Sequence, residues 1–198
     1  MDKPSQVLKE IWQNLQDGAE SRHNGYHLMT FHYDNNGFPR ANTVVVRKCS
    51  PNDRRVRFHS DLRQNKVQAI ERNNRVCLLF YNKKDKIQII CSGHAKVITD
   101  STLTEKVWNH MQPISRICYC QDLTPGEQHP ELNHGFTPKQ WDSRNEKATI
   151  EYGFKNFSIS ETTIHEIEWL YLCANGNERL CFTYDKKNEK WRSNWLIP

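Results

Sequence analysis

No stretch of the 198-residue chain is long and apolar enough to cross a bilayer as a helix, and no run of basic residues forms an arm. The net charge of +5 is spread thinly. With neither an RNP-type nor a zinc-finger pattern beside it, that argues against nucleic-acid binding. Neither common glycine-rich phosphate loop is present. A G-x-S-x-G elbow and a local cysteine signature are also missing, which disfavours hydrolase chemistry. The seven cysteines have no framework spacing and read as free thiols in a reducing cytoplasm. The N-terminal MDKPSQVLKEIWQNLQDG is polar and amphipathic, the wrong composition for a signal peptide.

What is present suffices for one domain spanning 1–198. Six Trp, seven Tyr and eight Phe can build a core. Val7, Leu8, Ile11, Trp12 and Leu15 share one helical face, which predicts a helix over about 4–17, ended by Asp17-Gly18. Strands are expected over 26–34, 38–49, 56–60, 75–82, 86–98, 156–160, 163–173, 179–185 and 190–197. Asn35-Asn36-Gly37 marks a hairpin turn, because Asn and Gly accept positive φ at low cost. Helices are expected over 62–73, 101–112 and 138–148, the last with Pro138 at its first position. Residues 121–139 read as a polar loop. Many strands joined by short turns predict a mainly β, α+β chain, an antiparallel sheet closing into a barrel with peripheral helices.

The segment FHSDLRQNK, 58–66, runs a strand directly into a helix. Two readings fit it. The helix N-terminus, Ser60 and Lys66 can cradle a phosphate dianion. Alternatively Ser60 or Asp61 only caps the helix and Lys66 is solvated.

The order hairpin, TVVVR, turn, FHSDLRQNKVQAIERNNRVCLLFY, then KIQIICSGHAKVI resembles the pyridoxamine 5'-phosphate oxidase-like family of flavin-binding split β-barrels. The likeness is clearest over 38–98. It returns in EIEWLYL, NERLCF and the terminal WLIP, and is lost over about 118–150, a divergent loop and helix insertion. The resemblance implies an FMN-binding homodimer, an oxidoreductase acting on a small molecule. It places Asn42, Thr43, Val44, Val45 and Arg47 along the flavin, with Asn42 where the family has an arginine and Arg40 on the same strand face as a substitute. His59 and Ser60 follow as FMN contacts. Gln64, Asn65 and Lys66 stand at the family's Ser-Arg-Lys triple. Gln88 corresponds to a glutamine near the ring, and Trp169 and Arg179 to residues reaching the flavin held mainly by the other subunit.

The vitamin B6 oxidases grip the substrate phosphate with a Lys, Tyr, Arg and Ser set. At those places this chain has Arg47, Trp108 and Gln112, with Ser115 or Arg116 near the serine. The missing cations point to a different substrate. No catalytic base is singled out; His59 and His94 are candidates by chemistry alone. Three rival readings stay open. His110, Cys118, Cys120, His129 and His134 could hold a metal, although their spacing fits no zinc pattern. The barrel could bind haem, or be a non-catalytic module that has lost its flavin.

Overall fold

The structure is a computed structural model that describes residues 2–99, 101–143 and 146–198. Helix α1 (Lys3–Glu20) begins where Asp2 accepts the Ser5 N–H at 3.0 Å. It buries Val7, Ile11, Trp12 and Leu15. The helix continues past the expected stop at Asp17-Gly18. Gly18 serves close packing: a Cβ there would lie 2.5 Å from the Tyr26 carbonyl oxygen. Strands β1 (Leu28–Asn35) and β2 (Phe38–Val45) form the expected hairpin, with Asn36 at φ 57° and Gly37 at φ 84°.

The strand expected over 38–49 is broken at Val46 and Arg47. Beyond the break, β3 (Lys48–Ser50) pairs with β4 (Arg55–Asp61) instead of β1. Helix α2 (Asn65–Arg72) follows, then β5 (Arg75–Asn82) and β6 (Ile87–Ile98). Four short helices come next: α3 (Thr102–His110), α4 (Pro113–Arg116), α5 (Pro138–Ser143) and α6 (Lys147–Tyr152). Arg144 and Asn145, inside the helix expected over 138–148, lie outside the described residues. The chain ends in β7 (Phe157–Tyr171), β8 (Glu178–Asp185) and β9 (Lys190–Leu196).

These strands make one antiparallel sheet in the order β2-β1-β5-β6-β7-β4-β3, with β8 and β9 branching from β7. The architecture is the split barrel with peripheral helices that the resemblance implies, and the sheet does not close completely. Its two ends, β2 and β3, are consecutive in the chain but do not pair. Residues 46–47 span the split, where the Arg47 N–H donates to the Arg57 carbonyl at 2.8 Å.

The two strands expected over 156–160 and 163–173 are one continuous β7. Its first half pairs with β4 and its second half with β8, while β6 lies along its other edge. The register with β6 shifts at Ser92/Gly93. Gly93 is required at this bulge, since a Cβ would sit 2.3 Å from the Thr163 carbonyl oxygen. Arg54 ties down the neighbouring turn: its N–H side chain donates to Ile164 O, and its carbonyl accepts from Ile164 N, both at 2.8 Å. The main core fills the space between α1 and the sheet, with Phe31, Phe58, Leu78, Phe80 and Ile89 fully enclosed. A second core gathers Trp108, Tyr119, Ile150, Phe157 and Ile159 beneath the short helices.

Candidate functional site

The joint at 58–66 is neither a simple cap nor a free turn. Helix α2 starts after Gln64, which makes no side-chain cap hydrogen bond. Ser60 is still within β4, enclosed, with its hydroxyl 3.2 Å from the Ser160 hydroxyl and its carbonyl accepting from Ser158 Oγ at 2.9 Å. Asp61 is buried and occupied by Arg63, whose Nη2 donates to Oδ2 at 2.7 Å. Arg63 in turn reaches the Gln121 carbonyl at 2.8 Å. The capping reading therefore fails for both Ser60 and Asp61, and the first turn of α2 keeps its amide groups without a side-chain acceptor.

Unsatisfied polar groups collect around that turn. Among the described residues, Gln64 Oε1 and His59 Nδ1 are buried without a hydrogen-bond partner. Burial lowers the Lys66 pKa below the usual lysine value, opposed by the charge of Asp61. His59 is driven down to about 3 by burial and then by the Arg47 charge, so it is a neutral imidazole at neutral pH. Its ring meets Phe157 edge-on, with centroids 5.0 Å apart. Arg47 lies two residues beyond the end of β2 and borders the same space as His59. Asn42 and Thr43 lie exposed on β2, with Val44 buried and Val45 half-buried. Arg40 is exposed two positions earlier.

A cleft of about 340 Å³ opens beside this joint. Arg47, Lys48, Arg57 and His59 form its strand side. Leu103, Lys106, Val107 and His110 of α3, with Met111 just past its end, face them. Lys48, Arg57 and Lys106 were not singled out from the sequence. The available signal was the spacing 103, 106, 107, 110, 111, which is one face of a helix.

Gln88, Trp169 and Arg179 are placed elsewhere. Strand β7 has 15 residues, roughly 50 Å of strand at about 3.3 Å per residue. His59 pairs with Ile159 near its start, whereas Gln88 pairs with Leu170 near its end. Trp169 is buried in the main core beside Tyr171, with ring centroids 6.1 Å apart. Arg179 donates through Nε to Glu168 Oε2 at 3.0 Å. Within one chain these three are remote from the joint, so a single flavin can meet both sets only if a second copy supplies one of them.

The candidate metal residues do not converge: among the described residues, no three of His, Cys, Asp and Glu form a metal-holding group. His110 Nδ1 donates to the Lys106 carbonyl at 2.7 Å, and His134 stacks on Trp141. Cys120 is buried and its thiol is pushed up to about 11 by burial. His94 lies at the β6–β7 bulge, away from the joint.

Comparison with known proteins agrees with this architecture. Residues 5–99 match the family model described as pyridoxamine 5'-phosphate oxidase, FMN-binding domain. No curated protein matches the sequence. A pyridoxamine 5'-phosphate oxidase-related, FMN-binding protein of Nostoc punctiforme superposes with a TM-score of 0.72 at 17% identity, covering 96% of each chain. PhzG of Burkholderia lata, solved with tetrahydrophenazine-1-carboxylic acid, gives 0.71 at 17% identity, covering 100% of this chain and 94% of the other. A protein of Clostridium acetobutylicum related to general stress protein 26 gives 0.54 at 12% identity, covering 90% and 95%. The family model covers residues 5–99, just under half of the chain, and over the whole chain the fold is that of these split-barrel proteins.

Proposed function

We propose that the chain binds FMN as a homodimer and works as a flavin-dependent oxidoreductase on a small molecule other than a vitamin B6 phosphate. The observation that carries this reading is the uncapped start of α2, set among Lys66, Gln64 and His59 with buried polar atoms left unpaired. A phosphate dianion would accept from the free amides of the first turn and from the Lys66 ammonium. The Gln64 side chain can present either its oxygen or its NH₂ toward such a ligand. These residues fit the phosphate end of FMN without the arginines that the family has at positions 42 and 65.

Bound there, FMN would supply hydride chemistry that no side chain offers. The remaining work falls to the chain. The edge strand β2 pairs only with β1 and leaves its other edge open to a planar ring. Arg47 holds positive charge beside it. Neutral His59 offers a hydrogen bond without adding charge. The separation of Gln88, Trp169 and Arg179 from the joint supports a flavin shared between two chains. Seven free cysteines suit a reducing compartment, which in this reading is the cytoplasm.

The test is titration with FMN followed by flavin fluorescence, with riboflavin, FAD and haem as controls. Saturable quenching by FMN with much weaker binding of riboflavin is expected, because the phosphate is the gripped group. Equal binding of riboflavin and FMN would remove the phosphate site. Binding of haem alone would replace the flavin reading with the haem one.

A further inference from the structure

The joint carries an acid close to where an anion is to be received. Asp61 is 4% exposed, ends β4 and stands just ahead of Gln64, after which α2 begins. Burial lowers the Lys66 pKa and the charge of Asp61 opposes it, so the two groups sense each other. A bare carboxylate here would repel a phosphate dianion set on the first turn of α2. One residue takes up the whole group. Arg63 gives Oδ1 its backbone N–H at 2.9 Å and its Nε at 3.0 Å, and gives Oδ2 its Nη2 at 2.7 Å. Such a two-pronged pair cancels the charge and also fixes the plane of the guanidinium.

The plane so fixed aims its remaining nitrogen at a distant part of the chain. Arg63 Nη1 donates to the Gln121 carbonyl at 2.8 Å, with the Asp122 carbonyl 3.4 Å away. From there the contacts run on through the segment. Gln121 Nε2 donates to the His134 carbonyl at 2.7 Å, and the Asp122 and Leu123 N–H groups donate to the Gly135 carbonyl at 2.9 and 3.2 Å. A second tether runs in parallel. The Leu62 N–H donates to the Asn156 carbonyl, and Asn156 Nδ2 donates to the Tyr119 carbonyl, both at 2.8 Å. Residues 119–135 are thus docked on the joint, although they lie outside the 5–99 stretch that the family model matches.

We propose that Arg63 is a positioning residue of the phosphate site: it neutralises Asp61 so that the start of α2 can accept a dianion, and it docks residues 119–135 on the joint, so that phosphate capture and docking support each other. The guanidinium has two employers, the carboxylate on the joint and the carbonyl of Gln121. Whatever holds it against one lowers the cost of holding it against the other, and that coupling is reciprocal. The inference rests on the FMN reading for the identity of the dianion.

The experiment is fluorescence titration of the full-length protein with FMN and with riboflavin, in wild type, Arg63→Ala, Arg63→Lys, Asp61→Asn and the double variant Asp61→Asn/Arg63→Ala. Hydrogen exchange at the Asp122 and Leu123 amides is followed with and without FMN. Arg63→Ala should weaken FMN by roughly tenfold or more and leave riboflavin unchanged, because only FMN carries the dianion. The double variant should return FMN affinity to within about threefold of wild type, since the uncompensated carboxylate is gone. Arg63→Lys keeps the charge without the fork, so FMN should stay within about threefold while both amides exchange faster. In wild type FMN should slow that exchange. Asp61→Asn is a second arm that does not depend on Arg63→Ala folding: it frees a cation beside the site and should tighten FMN. Equal loss of riboflavin and FMN in Arg63→Ala, no recovery in the double variant, weaker FMN binding by Asp61→Asn, or unchanged exchange in both Arg63 variants overturns the proposal. Absence of FMN binding by wild type overturns the cofactor reading and this proposal with it, whereas wild-type binding with any of those failures overturns this proposal alone.

Discussion

Nδ1 of His94 lies 2.6 Å from Nε2 of His165 across the bulge between β6 and β7. Such a contact needs a lone pair on one ring, so both cannot be protonated on the facing nitrogens. Burial lowers the His165 pKa below its usual 6.5, and the charges of His94, Lys186 and Arg54 lower it further. Its Nδ1 is buried without a partner among the described residues. His59 has the same sign, lowered to about 3.

A depressed histidine pKa favours folding where the ring is neutral. Its contribution is complete above the unfolded value near 6.5 and is lost as pH falls toward the folded pKa. The denaturation midpoint in urea should therefore fall between pH 7.5 and 5. Each histidine can add a slope of up to about 1.4 kcal/mol per pH unit. His59→Asn and His165→Asn should each flatten the profile. A midpoint independent of pH in the wild type would contradict both assignments.

Lys66→Ala should weaken FMN binding by about 10- to 100-fold, the range of a charge-assisted contact. It should leave stability unchanged or slightly raised, because the ammonium is partly desolvated. Ser60→Ala should behave differently. Its hydroxyl faces Ser160 inside the sheet, so the loss should appear mainly in stability, about 0.5–1.5 kcal/mol, with a smaller effect on FMN. Paired fluorescence titrations and urea melts separate the two.

Glu161→Ala should be strongly destabilising. Burial pushes this carboxyl up, but hydrogen bonds from Arg57 and Lys96 outweigh it and keep its pKa below the ordinary value. Removing it leaves the Arg57 guanidinium half-buried and uncompensated, at a cost of about 3–5 kcal/mol. A melting temperature within a few degrees of wild type would show that water already serves these cations.

Gly93→Ala should lower stability by roughly 2–4 kcal/mol, because the added methyl meets backbone at Thr163 rather than a movable side chain. Gly37→Ala offers the contrast: the space is open, and only the φ of 84° resists. Thermal melts of the two variants compare a steric obstacle with a conformational one.

Much of this architecture was legible because local chemistry and tertiary structure agree. The Asn36-Gly37 turn, the α1 stripe and the buried runs of β5 and β6 each signal their own element. The break at Val46–Arg47 was not legible, since a β-branched run gives no sign that its pairing partner changes from β1 to β4. Continuity through β7 was hidden because the polar pair Glu161 and Thr162 reads as a gap between two strands, although both are buried within one. Within the candidate site, Lys66, Gln64 and His59 could be aligned with a family pattern. Lys48, Arg57 and Lys106 could not, because their convergence depends on α3 folding back over β3 and β4 from another part of the chain.

The pairing of β4 with β7 has a consequence for the order of assembly. Phe58 to Asp61 lie opposite Phe157 to Ser160, and the Ser60–Ser160 contact joins positions 100 residues apart. During synthesis, β3 can pair with Arg55 to Arg57, but a chain that has not yet extended beyond Phe157 has no partner for Phe58 to Asp61, the end of β4 that feeds the joint. The joint is thus a late product of translation, and ligand capture there has to wait until about four-fifths of the protein has left the ribosome.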